Sequence, residues 1–545
     1  MLPSLVVAAL ALPFSPPSAP CAPGEGLEEW DALEEALFAF LNDQRVESTG
    51  LLESYRAHPD LPEDFRRFLE GERPAYLYDQ ALCVLALLER GRDEDRALAA
   101  SLLDAMLGLQ LEDGSVPDAV HVETLVAGEG PYSTGNQAWV LLAFVQGYES
   151  LGSAAYLRAA SDIASYVLER TPSALGYGGF RLHPETVVVS TEHNLDLVAA
   201  LTRLASHLPE EGEGLRRADA LSGAAHARLF CESMFDPLRG LSWTGTDGGG
   251  VLALRSPIPL DPQSWSSLVF GREKWRAGLE WTLSPAPDGL WTRSQDCARL
   301  EGVEVVGPAF SDHDSNEVWF EGLAQMACAL ALDGQAEAAE SALRVLDAVR
   351  RAAPHGDGRG LPATFEELAT GFGFSYFESL HIGASAWAAF ATLDSNPYWD
   401  HSLSAGYAAH PLHALPTISI DAPREGIYAC RNDRYQPCFL EVRGDSRNLV
   451  GAGHELWLLI EPAGPGANGS KYVQGQGVNL QADGRWTGVA QLGNAVYPAQ
   501  PGDLLRIHVV ATEVGSPPSG VYTEITRASM PGLVAVAGTL SARVR

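Results

Sequence analysis

From Leu27 to about Asp394, apolar residues recur at i, i+3, i+4 and i+7, the spacing that gathers them on one side of a helix. The repeat predicts helices over Glu28–Leu41, Leu77–Arg90, Asp95–Gln110, Asn136–Leu151, Ala154–Arg170 and Glu192–His207. It continues over Gly214–Phe235, Gln263–Phe270, Arg272–Leu283, Glu317–Leu332, Gln335–Arg350 and Glu378–Leu393. These segments alternate in character. Gln137–Phe144, Leu195–Leu204, Val318–Leu332 and His381–Leu393 are apolar nearly all round, as helices enclosed on every side are. Their partners, such as Asp93–Leu109 and Gln335–Arg350, carry charge along one face, as outer helices do. Six inner and six outer helices in antiparallel pairs predict a closed (α/α)6 toroid over residues 27–398.

The pattern then breaks. Residues 399–416 hold histidines, prolines and small residues, read as a linker. Beyond it come short runs rich in β-branched and aromatic residues: Thr417–Ile420, Gly426–Cys430, Phe439–Val442, Glu455–Ile460, Lys471–Gln474, Gly484–Ala490, Leu504–Thr512 and Val534–Val544. Turn clusters separate them at the spacing of an all-β sandwich, predicted over residues 417–545. Cys430 and Cys438 lie in adjacent runs and are either a disulfide or two free thiols. At the other end, the apolar run Leu5–Leu12 followed by small residues and prolines reads as a signal peptide over residues 1–23, which implies a secreted or periplasmic protein.

Composition narrows the function. Hydrophobic residues make up 46% of the 545 and charged residues 20%, enough apolar material for a large core and too much for a disordered chain. Seventy acidic residues against 37 basic ones give a formal charge of −33, a field that repels nucleic-acid backbones and anionic membrane surfaces. Apart from the leader, no apolar run reaches the roughly 18–20 residues of a membrane span. Seven cysteines are too few for a disulfide scaffold. No Cys/His spacing suggests zinc, and Gly248–Gly250 lacks the Lys-Ser/Thr that follows a phosphate-cradling loop, so neither metal nor cofactor is expected. Asp312-His313-Asp314 reads as a polar loop at the rim.

Polar and aromatic residues cluster where each inner helix begins: Tyr76–Gln80, Thr134–Trp139, Ser190–Asp196, Pro259–Trp265, Asn316–Gly322 and Tyr376–Gly383. In a toroid these starts share one rim, so distant segments converge on one pocket. N-capping, which Thr191 and Asp261 suit by residue type, does not require Trp, Asn, Gln and Glu together at every start. The runs Tyr78–Leu88, Thr134–Trp139, Ser190–Asp196, Pro259–Trp265, Val318–Ala327 and His381–Trp387 resemble a bacterial (α/α)6-toroid glycosidase-like family over residues 76–398. Gln80 and Pro262 stand where that pattern has Asn and Ala. The tail, through Gly453–Pro462, Lys471–Gln474 and Trp486–Val489, resembles a secreted immunoglobulin-like module.

The resemblance implies a carbohydrate-active enzyme, and elementary chemistry proposes roles. Glycoside hydrolysis needs a protonated carboxyl at the leaving oxygen and a second carboxylate that activates water or attacks carbon. Glu192 and Glu321 are the first choices, expected to face one another across the bowl, with Asp79 and Asp261 in reserve. Glu317, four residues before Glu321, is expected on the same helical face, where repulsion raises one of the two pKa values. Tyr78, Trp139, Trp265 and Trp319 are candidates for stacking on sugar, and Asn136, Gln137, Asn194 and Gln263 for binding hydroxyls. His193 and His381 permit a different reading, a sugar isomerase or polysaccharide lyase that moves a proton through imidazoles. The remaining alternative is a glycan-binding protein without catalysis. In each case the partner is an oligo- or polysaccharide.

Overall fold

The computed structural model describes residues 27–410, except the single positions 129, 131, 174, 176, 272 and 296, together with the strands and short stretches between them over 417–544. The leader (residues 1–23) and Cys430 lie outside the described residues. Helices α1 (Leu27–Asp43), α2 (Glu63–Glu72), α3 (Leu77–Arg90), α4 (Asp93–Gly108), α5 (Thr134–Leu151) and α6 (Ala154–Arg170) come first. They are followed by α7 (Thr191–Ala205), α8 (Arg217–Met234), α9 (Asp261–Phe270), α10 (Arg276–Leu283), α11 (Phe320–Leu332), α12 (Ala336–Ala352), α13 (Ile382–Thr392) and the single turn α14 (Gly406–Ala409).

The odd-numbered helices α3 to α13 form a closed ring: each packs on the next, and α13 returns to α3. Helices α1, α4, α6, α8, α10 and α12 back them from outside, one to each inner helix. The twelve-helix toroid expected from periodicity is therefore present. Sequence polarity explains who stands where. Trp387 and Phe390 on α13, like Phe320 and Leu323 on α11, are wholly enclosed, and each such side chain contributes about 1.5–3 kcal/mol by leaving water. On α12, Ala339, Leu343, Leu346 and Val349 turn inward while Glu337, Ser341 and Arg344 meet solvent. The periodicity does not predict α2, a short helix with a single buried residue, Leu69.

The seam between the first and last hairpins is stitched by backbone. Tyr55 and Arg56 pair antiparallel with His381 and Leu380, and Arg56 reaches Asp357 at 2.9 Å. Among the described residues no helix is long and apolar enough to cross a membrane. The C-terminal strands form two sheets. One orders Thr417–Ile418, Cys438–Arg447, Arg485–Leu492 and Asn479–Leu480; the other is built around the long pair His454–Ala463 and Leu504–Glu513. Val442 and Trp486 from the first share a core with Leu456, Leu458, Ile507 and Val509 from the second.

Residues 399–410, expected as the start of a linker, are packed instead. Trp399 donates to the Val269 carbonyl at 3.2 Å, Tyr407 meets Ser267 at 2.9 Å, and His410 meets the Leu268 carbonyl at 2.8 Å. Gly271 ends α9 at φ 54°, and a Cβ there would stand 2.1 Å from the His410 ring. These residues close the far end of α9, a helix too short to bury its own C-terminus. A chain ending at Ser404 is therefore expected to unfold at lower stability than one ending at Pro411, by about 2–4 kcal/mol for the lost packing and hydrogen bonds. Denaturant titration of the two forms measures the difference, and equal midpoints would show the segment to be dispensable.

Candidate active site

The starts of the inner helices enclose a cavity of about 920 Å³. Its floor is supplied by Tyr78 and Asp79 of α3, Asn136 and Trp139 of α5, Glu192, His193 and Asp196 of α7, Asp261 and Trp265 of α9, Glu321 of α11, and His381 at the cap of α13. Phe65 and Phe68 of α2, with Phe310, Trp319, Phe372, Phe374, Tyr376 and Phe377, make an aromatic wall. Among the described residues no lysine or arginine lines it.

Each floor carboxylate has its own surroundings. Glu321 accepts the Tyr78 hydroxyl at 2.8 Å, which in turn accepts the Trp387 indole N–H at 2.8 Å. Burial lifts its pKa to about 7, against the pull of His381 and of Tyr78. Asp261 accepts the Gln325 amide at 3.0 Å and is also lifted to about 7, by burial and by the Glu321 charge. Asp196 accepts the Tyr398 hydroxyl at 2.9 Å, and burial drives it well above the usual carboxylate range. Glu192 accepts no hydrogen bond among the described residues; burial and the Asp261, Asp196 and Glu321 carboxyls push its pKa far up. A neutral carboxyl is the physical consequence of charges gathered where water and counter-ions are scarce.

The histidines differ just as sharply. His381 stacks on Tyr55 at 4.3 Å, with Nε2 3.6 Å from Asp79 and Nδ1 3.5 Å from Glu321. Burial works against its charge, but the two carboxylates together outweigh it and raise its pKa. Gly383 makes room for this contact, since a Cβ there would lie 2.7 Å from both His381 and Glu321. His193, with no carboxylate against it, is depressed to about 4 by burial and by His183. Beneath them, Trp139 packs edge-on against Tyr78, Trp265 and Trp387 at 5.5, 5.6 and 6.0 Å, closing the centre of the ring.

Several sequence candidates prove structural. Gln137 bonds both the N–H and the C=O of Val116, at 2.9 and 2.8 Å. Asn194 does the same to Phe180, Gln263 to Ser242 and Gln80 to Leu52. The helical register explains why. Counting from the residue that opens each start (Tyr76, Ser133, Ser190, Pro259, Trp319, His381), position +2 holds Tyr78, Glu192, Asp261 and Glu321, and position +6 holds Trp139, Asp196, Trp265, Gln325 and Trp387. Those positions are one turn apart and face the bowl, whereas +4, where the amides stand, points back to the incoming loop. Position +3 supplies Asp79, Asn136 and His193.

Further expectations are corrected. Glu317 lies before α11 begins, so it shares no helical face with Glu321; it accepts from the Ser294 hydroxyl and from the Gln295 N–H at 2.7 Å. Glu192 and Glu321 do not face one another across the bowl, because ring order follows chain order and α7 and α11 flank α9. His193 on α7 and His381 at the cap of α13 stand on opposite sides of the ring, as do Asp79 on α3 and Asp261 on α9. The caps of α5 and α7 are Ser133 and Ser190, while Thr191 donates to the Trp243 carbonyl and Asp261 sits inside its helix. In the rim loop, Asp312 accepts from Ile258 N–H and Asp314 from Asn316 N–H. Asp196, Tyr55, Phe65, Phe68, Phe372 and Phe374 were not among the sequence candidates. Asp196 was legible as the residue one turn beyond Glu192; the aromatic residues come from loops and α2, which carry no periodic signal.

Away from the bowl, His58, His355 and Glu378 bring ligand-type atoms within 4.8 Å of one another. The two imidazoles stack at 3.9 Å and 10°, so their in-plane lone pairs run parallel rather than meeting at one ion. His355 pairs instead with Glu378 and, at 2.8 Å, with Asp60.

No family model and no curated protein matches the chain. Among solved structures it is similar to a glycosidase (13% identity over 68% of this chain and 98% of that one, TM-score 0.48). It is also similar to a sugar epimerase from a ruminal bacterium (14%, 67% and 98%, TM-score 0.46) and to an α-1,6-mannanase of a Salegentibacter species (12%, 67% and 98%, TM-score 0.43). The activities named belong to those proteins.

The clamps yield a prediction. Gln137→Leu keeps the side-chain bulk but strands a buried N–H and C=O of Val116, and is expected to destabilise the toroid by about 2–4 kcal/mol. Asn136→Leu removes one donor from the buried Asp118 carboxyl but leaves those of Ser133, and is expected to cost less, about 1–2 kcal/mol. Denaturant unfolding of both variants checks the order.

Proposed function

We propose that the protein is a carbohydrate-active enzyme that hydrolyses glycosidic bonds with carboxyl groups at the floor of the bowl. The observation that carries this reading is the contrast between Glu192 and Glu321 on either side of Asp261. One carboxyl has no hydrogen-bond donor and holds its proton, while the other accepts Tyr78 O–H and faces His381. Paired carboxyls whose surroundings drive their pKa values apart are suited to divide acid and base duty. Glu192 then gives its proton to the leaving oxygen as the C–O bond breaks, and Glu321 takes the proton of an attacking water or itself bonds to the anomeric carbon. The aromatic wall suits the apolar faces of sugar rings. The isomerase reading is weaker, because His381 is buried between Asp79 and Glu321 and stacked on Tyr55, leaving only His193 to exchange a proton with substrate.

The N-terminal run Leu5–Leu12 supports export, so the reading extends to a glycan outside the cytoplasm. The two sheets that share a core support an immunoglobulin-like module at the C-terminal end.

On a panel of oligosaccharides, with reducing-end release as the readout, Glu192→Gln and Glu321→Gln are each expected to lose about 10²–10⁴ in rate while retaining sugar binding. Near-native turnover in both variants, or no release by the wild type, would overturn the reading. The pH profile gives a second check. Glu321 acts as the ionised form, so kcat/KM is expected to fall as pH drops below about 7, where that carboxylate takes up a proton. In His381→Gln the charge that holds Glu321 down is gone, and the acid limb is expected to move to higher pH; an isomerase would instead lose nearly all activity.

A further inference from the structure

We propose that the substrate is a glycoside whose sugar sits on the floor of the bowl and whose aglycone is a hydrocarbon chain, held in the phenylalanine-lined mouth. The inference rests on the hydrolase reading and deepens it by naming the substrate class.

The cavity changes character between floor and mouth. The floor holds the carboxyls and histidines, which suit hydroxyls and an anomeric centre. The mouth is walled by phenylalanine, a side chain with no polar tip. Phe65 and Phe68 lie one turn apart on α2, with Phe377 4.7 Å from Phe65, and Phe310 meets Phe372 and Phe374 at 6.2 and 6.0 Å. Hydroxyl side chains also line the cavity, but each is bonded within the protein. Ser133 bonds Asp118, Ser190 the His193 N–H, Thr244 the Pro257 carbonyl, Thr246 the Val189 N–H and Ser375 Glu367. A second sugar would lay one face on a ring, but its hydroxyls would leave water for a wall with few partners, at a cost in free energy. Methylene groups lose nothing there and gain by burial.

The apolar surface also continues past the mouth. The hairpin that pairs Leu368–Ala369 with Ser375–Tyr376 turns through Gly371 and Gly373, at φ 82° and 91°, and leaves Phe372 and Phe374 39% and 51% exposed. On the side of α7 and α9, the hairpin that pairs Gly245–Thr246 with Ala253–Leu254 carries Val251 and Leu252 at its tip, 39% and 59% exposed. Thr246 and Leu254 line the cavity, so this tip borders the same opening. An aryl aglycone is one ring long and ends inside the mouth; a chain runs on to both tips. Exposed apolar residues grouped around one opening mark a binding surface rather than ordinary scatter. A phosphate between sugar and chain is disfavoured, because among the described residues no lysine or arginine lines the cavity to receive it. Hydrolysis adds water across the bond from the anomeric carbon to the chain's oxygen. The carbon gains a hydroxyl, the chain leaves as an alcohol protonated by Glu192, and water's other proton replaces the one that Glu192 gave.

The test is calorimetric titration of the full-length protein, below micelle-forming concentrations, with methyl, octyl, dodecyl and phenyl glucosides, galactosides and mannosides of both anomers, and with neutral oligosaccharides. The octyl glycoside of the preferred sugar is expected to bind roughly tenfold or more tighter than the methyl one, with a more negative heat-capacity change. The dodecyl glycoside is expected to bind tighter still. Phe372→Ser combined with Phe374→Ser, checked for folding by circular dichroism, is expected to bring octyl and methyl affinities to within about threefold of one another. Val251→Ser combined with Leu252→Ser is expected to leave methyl glycoside binding unchanged and to remove the advantage of dodecyl over octyl. Phenyl glycosides binding as tightly as octyl ones, oligosaccharides binding tighter than either, no dependence on chain length, or no binding of any glycoside overturns the proposal. The two readings fail separately. Hydrolysis of oligosaccharides without preference for a chain overturns the aglycone and leaves the hydrolase; chain-dependent binding without release of sugar from any alkyl glycoside or oligosaccharide overturns the hydrolase and leaves the ligand class.

Discussion

His381 lies between Asp79 on α3 and Glu321 on α11, and both the ring and its chemistry depend on that contact. The imidazole belongs to the last inner hairpin, Asp79 to the first, and the pairing of His381 with Tyr55 carries the closure into the backbone. Within the bowl it is the group that gains positive charge by its position, and it does so because two carboxylates outweigh the penalty of burial. Removing either carboxylate changes the protonation of the others, since Glu192, Asp261 and Glu321 feel one another through a medium with little water to screen them.

That medium is made by the aromatic floor. Trp139, Trp265, Trp387, Tyr78 and Tyr398 fill the axis that six helices leave open, with ring contacts of about 5–6 Å in edge-on, tilted and stacked arrangements. Their polar tips also serve. Tyr78 and Tyr398 hold Glu321 and Asp196 from below, so the side chains that exclude water also fix the carboxyls in place. A lysine or arginine there would pin the carboxylates as ions; hydroxyls and an amide leave their protonation adjustable.

The loops above are held by a second use of the same helix starts. Gln80, Gln137, Asn194 and Gln263 each bond both polar groups of one loop residue. Four of the six inner helices therefore present chemistry one way and an amide anchor for the preceding segment the other; the rim segments that carry Phe310, Phe372 and Phe374 precede α11 and α13 and are braced by short antiparallel pairs instead.

The alternation of all-apolar and amphipathic repeats by itself determined the toroid, because a helix apolar on every side has nowhere to go but the inside of other helices. The clustering of polar residues at the inner starts likewise determined which rim holds the site, and Asp79, Glu192, Asp261, Glu321 and both histidines were readable there. Tertiary structure decided the rest. Whether Gln137 meets a ligand or a loop depends on a rotation of two residues along the helix, and that depends on where the helix begins, which periodicity fixes only to within a turn. The same uncertainty put Glu317 on a helix that starts three residues later. The partners of each carboxyl come from other helices: Tyr78 for Glu321, Tyr398 for Asp196, Asp79 for His381. A linear chain states which groups can ionise, but only the packed ring states which of them share a cavity, and it is their proximity that sets their charge.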